Sequence, residues 1–243
     1  MAPLLIVALD AANFMLALLL VTLGLVILFG LMNVINMAHG EMFLLGAYAV
    51  VLVERHGGGF WLALALAPLA LAVIGLLIEE LVIRHVYHRF IDTILATWGL
   101  SISLKQTVII AFGPTAQQVD NPLPQAVAIL GTRYPVYRLF IMAVAENVEI
   151  PLLSRHGLAA MLRADARTVD PQMGVGFLIP AFLSILVGGS GSLLGTLLGT
   201  TLIAGAGTVV SSIWTQITAQ IVVFALAIVV IRLFPQGLTG GRG

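Results

Sequence analysis

Cysteine is absent from the 243 residues, which excludes disulfides, thiolate metal sites and cysteine nucleophiles. Charge is scarce: Asp, Glu, Lys and Arg together make 9% of the chain, against about 25% in a soluble domain. So little charge cannot cover a water-facing surface. A surface facing lipid tails needs no such cover, so the deficit points to a membrane protein. Lysine occurs once, at Lys105, and the formal net charge is zero, so nothing marks the chain for nucleic acid. Residues 1–10 hold no basic leader, and the first apolar stretch reads as a retained anchor. A Gly-Lys-Ser/Thr phosphate-binding loop is missing as well, since Lys105 follows Leu104. Any ATP-driven step would therefore need an ATPase on another chain.

What the chain does contain is apolar residues, 60% of the total, with a mean hydropathy of +1.10. A membrane-spanning helix needs roughly 20 of them in a row. Residues 13–32 supply one such run, and it ends in a polar knot of Asn33, Asn36, His39, Gly40 and Glu41. Residues 42–53 are apolar but short for a full span, and 54–59 form a turn. Residues 60–78 and 93–112 read as further spans, separated by a polar loop at 79–92 with Arg84, His85, His88 and Arg89. A long proline-containing loop covers 113–135. Residues 136–145 are apolar but too short to cross alone, and 146–171 are polar, with Arg155, Arg163 and Arg167. Apolar runs at 174–187, 193–210 and 213–233 follow, with the last turn at Ser211, Ser212 and Trp214. The expected fold is all-α: a polytopic transmembrane bundle with broken or re-entrant helices, a single domain over 1–243. The arginine-rich segments 79–92 and 146–171 and the tail go to the cytoplasm by the positive-inside rule, and 54–59 and 113–135 to the other side.

Three features could carry chemistry. In the knot, glycine and clustered polar groups follow a saturated apolar run, so helix is expected to break. Irregular backbone at membrane depth occurs only inside protein or along a wet cavity, and ionisable groups there are functional candidates. Asn33, Asn36, His39, Gly40 and Glu41 therefore line a pathway or cap free backbone groups at a helix join, and the combined reading is that the knot shapes a pathway wall and performs no chemistry. The second feature is the glycine array. Gly191, Gly195 and Gly199 recur every fourth residue on one helix face, which lets two backbones approach closely. Gly188, Gly189 and Ser192 beside them form a second possible break. An early and a late interruption hint at two half-repeats meeting at a central site. The third is a polar stripe of Ser101, Ser103 and Gln106 within a span, with Lys105 expected to snorkel to the interface.

Other chemistries fall away. Gly188-Gly189-Ser190-Gly191 fits the G-x-S-G pattern of intramembrane serine proteases, but a later histidine is needed and the last one is His156. His39-Gly40-Glu41 lacks the i, i+4 histidine spacing of a zinc helix, and His85 and His88 have no evident third ligand.

Residues 33–48, NVINMAHGEMFLLGAY, resemble the permease subunits of ABC importers for branched-chain amino acids, a family that includes urea and short-amide importers. Further matches, in family order, are DTILATWG at 92–99, FGPT at 112–115, TVDPQMG at 168–174, VGGSGSLLGT at 187–196 and PQGL at 235–238. The resemblance implies a bacterial inner-membrane permease, with a cytoplasmic C-terminus, that binds no cofactor and is no enzyme itself. Its partners would be a homologous second permease subunit, two cytoplasmic ATPase subunits that hydrolyse ATP, a periplasmic solute-binding protein and membrane lipid. Branched-chain amino acids are the first expectation for the solute. A urea or short-amide permease is the alternative, and a self-sufficient channel or secondary transporter the alternative from another class, with Asp10 and Glu41 as its only intramembrane acids. One departure concerns residues 136–171, which are compressed relative to the family by about two spans' worth of residues. Ala143, Ala145 and Asn147 resemble the ATPase-coupling segment R-A-x-x-x-N, with Met142 where the family has arginine.

Overall fold

The computed structural model describes residues 2–32, 36–86, 89–129, 132–149, 168–189 and 193–239. Asn33, Gly191 and Ser192 lie outside them. The helices in chain order are α1 (Ala2–Met32), α2 (His39–Arg55), α3 (Phe60–Ile78), α4 (Phe90–Phe112), α5 (Val136–Glu149), α6 (Met173–Gly188), α7 (Leu193–Ile213) and α8 (Gln216–Leu233). Among the described residues five helical stretches are long and apolar enough to cross a membrane: Leu4–Ile27, Phe60–Val86, Ile91–Phe112, Leu194–Ile213 and Gln216–Leu233. The fold is the all-α polytopic bundle that the composition demands.

Several boundaries differ from the sequence expectation. The polar segment after residue 78 stays helical, through a π-helical turn at Glu79–Ile83 and on to Val86. Glu, Leu and Arg are good helix formers whatever the solvent, so a fall in hydropathy does not end the helix. Ser211 and Ser212 likewise remain inside α7, their hydroxyls donating to Thr208 O and Val209 O. The turn falls at Trp214, and Thr215 caps α8 by accepting from Thr218 N at 3.2 Å. The segment between α4 and α5 contains short strands: β1 (Gln117–Gln118), which pairs with β4 (Thr168–Val169), and a hairpin of β2 (Ala126–Ile129) and β3 (Thr132–Pro135).

The chain divides into two compact units. One contains α2, α3, α4, β1, β4 and the start of α6. Here α3 buries Phe60, Ala63, Ala67 and Leu71, a helical spacing that forms one stripe, and packs against α2. Leu62, Leu66, Leu69, Val73, Leu76 and Leu77 remain exposed. In water such a face would be a liability; against lipid it is the natural surface.

The other unit contains α1, the β2–β3 hairpin, α5, α6 from Ile179 onward, α7 and α8. Helices α7 and α8 pack as an antiparallel pair, with Ala219, Val223, Ala227 and Val230 of α8 buried. Asp10 of α1 accepts from Arg138 Nη1 of α5 at 2.5 Å and from Tyr134 Oη of β3 at 3.0 Å. The Arg138 guanidinium also lies 5.9 Å from the Tyr134 ring centre. Burial, then the negative charge of Asp10, pushes the Tyr134 phenol from its ordinary 10.0 up to about 12. The folded state thus favours the neutral phenol. Its contribution is fully present below pH 10 and lost as pH rises through about 12. Melting measured across that window should show stability falling with pH, with a shallower slope in Tyr134→Phe. Equal slopes would show that the phenol does not titrate in this environment.

Candidate functional site

The unit built on α2, α3 and α4 holds most of the polar knot. Helix α1 ends at Met32 and α2 begins at His39. His39, Gly40 and Glu41 occupy the first turn of α2 and are buried. The expected irregular backbone is therefore shorter than the knot, and helix resumes within it. The start of α2 still has N–H groups to satisfy. Asn36 Oδ1 accepts from Ala38 N at 2.9 Å, and Asn36 O accepts from His39 N at 3.2 Å. Thr97 Oγ1 on α4 accepts from Met37 N at 3.2 Å and donates to Ile94 O. Asn36 thus closes a tight turn just ahead of α2, whose N-cap residue is Ala38.

Depth follows from the pairing of α2 with α4. The helices run parallel: Met37 meets Thr97, Glu41 meets Ser101, and Tyr48 and Arg55 both meet Phe112. Ser101 lies midway along α4, roughly 16 Å from either end at 1.5 Å per residue. Helix α4 is long and apolar enough to span, Ile91–Phe112, and α2 begins level with its middle. Helix α2 has 17 residues, about 25 Å at 1.5 Å per residue, which is more than half of a ~30 Å hydrocarbon core.

Glu41 is 1% exposed at this depth. Its Oε1 accepts from Ser101 Oγ at 2.9 Å. Its Oε2 is buried with no hydrogen-bond partner among the described residues. A carboxylate in this setting is costly unless it is hydrogen-bonded. Beside it, Gly40 of α2 and Gly174 of α6 meet backbone to backbone. A Cβ on Gly40 would lie 2.4 Å from Gly174 O, and one on Gly174 would lie 2.7 Å from Gly40 O and 2.8 Å from Glu41 Oε2. His39 packs edge-on against Phe43 at 6.1 Å, and Phe43 lies 6.3 Å from Phe177.

The segment leading to Gly174 is anchored within the same unit. Strand β4 pairs with β1, Tyr48 Oη lies 3.5 Å from Val169 O, and Asp170 Oδ1 accepts from Gln172 N at 2.6 Å. Lys105 Nζ donates to Gln172 Oε1 at 2.5 Å, so the lone lysine has a protein partner where snorkelling was expected. The predicted stripe of Ser101, Ser103 and Gln106 does not form one face: Ser101 is buried, while Ser103 and Gln106 are exposed. The buried stripe is Thr93, Thr97 and Ser101, spaced i, i+4, i+8. That period is present in the sequence, where Thr93 opens the span.

The late glycines lie in the other unit, where α6 and α7 approach closely. A Cβ on Gly188 would fall 2.0 Å from Gly195 O, one on Gly195 2.2 Å from Gly188 O, and one on Gly199 2.1 Å from Ser184 O. The C-terminal PQGL segment closes over the end of α6: Leu238 N donates to Val187 O at 2.9 Å and Thr239 Oγ1 to Gly188 O at 3.1 Å. Gly189 (φ +97°) and Gly237 (φ +81°) take left-handed conformations at this crossing, where glycine alone is unstrained. Two sequence blocks that looked independent are thus one packed joint. Of the coupling candidates, Ala143 is exposed on α5, and Ala145 and Asn147 belong to the same helix.

A family model described as branched-chain amino acid transport system / permease component matches residues 7–149, more than half of the chain. The chain belongs to this family. The matched stretch of the permease contains the whole Asn36–Glu41 turn, α2 and the α4 hydroxyl stripe. The permease is also 25% identical, over 281 residues covering 91% of each chain, to the high-affinity branched-chain amino acid transport system permease protein BraD of Pseudomonas aeruginosa. No solved structure matches it. Family and fold together make this a multi-pass membrane protein of a transport system.

Proposed function

We propose that this chain is a permease subunit of an ATP-binding-cassette importer that carries branched-chain amino acids across the bacterial inner membrane. The observation that carries the reading is the permease-family match over residues 7–149, which contains α2 with a buried acid in its first turn. Discontinuous helices whose ends meet at the midplane are a recurring way to build a solute path in lipid. The printed name of BraD supports the choice of solute. ATP would be hydrolysed by two partner subunits, since the sequence holds no phosphate-binding loop. A second permease subunit would complete the pathway, and a periplasmic binding protein would deliver the solute. The arginines of the polar segments favour a cytoplasmic C-terminus.

Residues 136–171 are compressed on this reading. The 281-residue alignment with BraD is longer than the chain itself, so it leaves positions of BraD without a counterpart here. The family match covers residues 7–149 and so ends within the stretch read as compressed. The test is uptake of labelled leucine and of labelled urea by the chain reconstituted with its partner subunits. Leucine uptake driven by ATP is the expected result. Urea uptake in its place would reassign the solute, and uptake of neither would sink the proposal. A longer relative that restores the missing helices should rescue an uptake-deficient strain better than this chain; equal rescue would remove the deletion argument.

A further inference from the structure

We propose that the free oxygen of Glu41 is an acceptor site for an N–H group of the transported solute. This rests on the importer reading above and adds to it the atom that receives the solute. A carboxylate offers roughly four acceptor positions. Here one oxygen is tethered to Ser101 at 2.9 Å, and the other is buried without a partner among the described residues. An acceptor of this kind is satisfied by a donor, and N–H donors are common to amino-acid ammonium groups and to amides and ureas.

The placement fits such a role. Glu41 sits level with the middle of α4, and solute sites in transporters with broken helices lie near the bilayer midplane. The surroundings are polar on the α4 side, with the hydroxyls of Thr97 and Ser101. On the α6 side Oε2 is covered by Gly174, which has no side chain. The contact between Gly40 and Gly174 is itself backbone against backbone, and Phe43 and Phe177 meet beside it on the same two helices. Withdrawal of the α6 N-terminus from α2 would uncover Oε2 while the Ser101 tether kept the carboxylate in place. In the present conformation the site is closed.

The test uses the reconstituted complex with saturating binding protein, leucine and urea being the two probes. Solute moved per ATP hydrolysed is the first readout. Removing one charge-assisted hydrogen bond should lower this ratio about tenfold or more in Glu41→Ala, with Glu41→Gln falling between it and the unsubstituted chain. The second readout is the infrared difference spectrum on adding solute. The unsubstituted complex should show a carboxyl band that Glu41→Gln lacks, with leucine, with urea, or with both according to the true solute. An unchanged ratio in Glu41→Ala would overturn the site and leave the importer reading intact, whereas no uptake by the unsubstituted complex would overturn the importer reading itself. If Glu41→Ala fails to fold, the infrared arm decides: an unsubstituted complex that transports solute without a Glu41 band shows that the carboxylate is only structural.

Discussion

Gly188→Ala should destabilise the permease severely, while the same substitution at Gly205, on neighbouring α7, should leave it nearly unchanged. At Gly188 the new methyl would lie 2.0 Å from Gly195 O and 2.4 Å from Gly195 C. Both are backbone atoms, so no rotamer change relieves the clash and α6 must move away from α7. Overpacking in a closed core costs typically 1–3 kcal/mol, occasionally more. Here the separation also strains the bonds from Leu238 N to Val187 O and from Thr239 Oγ1 to Gly188 O, so about 3 kcal/mol is expected. For a chain of this size that corresponds to a fall in Tm on the order of 6–12 °C. Gly195→Ala should behave alike, because the crossing is reciprocal. At Gly205 a Cβ meets nothing within 4 Å, and alanine is the better helix former. Melting of the two variants in the same detergent is the measurement; similar losses would mean that α6 and α7 do not meet at these glycines.

Removing Asp10 should cost more than its position in the apolar α1 suggests, because Arg138 and Tyr134 both depend on it. The ion-pair side chains are 34% and 35% exposed, so the pair is not sealed inside protein and the figure for a fully buried bridge does not apply. About 1–3 kcal/mol is expected for Asp10→Ala, with a similar loss for Arg138→Ala. The double variant should lose about 1 kcal/mol less than the sum of the two. Exchange of the charges, Asp10→Arg with Arg138→Asp, should recover part of the stability that either exchange alone removes. Strict additivity across the cycle would show that α1 and α5 are not coupled through this pair.

Span placement was readable because it depends on local composition. The run at 60–78 coincides with α3, Phe60–Ile78, and that at 93–112 lies within α4, Phe90–Phe112. Helix ends were readable where glycine or a capping residue set them, as at Gly59 before α3 and Gly113 after α4. They were misplaced where polarity was taken as a stop signal, at Glu79 and at Ser211, since hydroxyls and interfacial charges are compatible with continued helix. The knot at 36–41 was legible as a place of interest, since asparagine, histidine, glycine and glutamate rarely interrupt an apolar run without a reason. Its internal division was not. Asn36 closes a local turn ahead of α2, while Glu41 is buried against α4 and Gly40 meets α6, and these two roles depend on elements distant in sequence.

The sequence by itself determined that this is a multi-spanning membrane chain and where most spans lie, because solvation in lipid depends on the polarity of consecutive residues. Only the tertiary structure decided which polar groups meet. Glu41 and Ser101 are 60 residues apart and Gly188 and Thr239 are 51 apart. In a soluble protein, the contrast between polar and apolar faces would show how each helix is turned. In a bilayer the outside of a helix is as apolar as its packed side, so the pattern along the chain is silent about rotation. Only packing settles it: Gly40 against Gly174 turns Glu41 toward Ser101 and leaves one carboxylate oxygen beneath a glycine, level with the middle of α4.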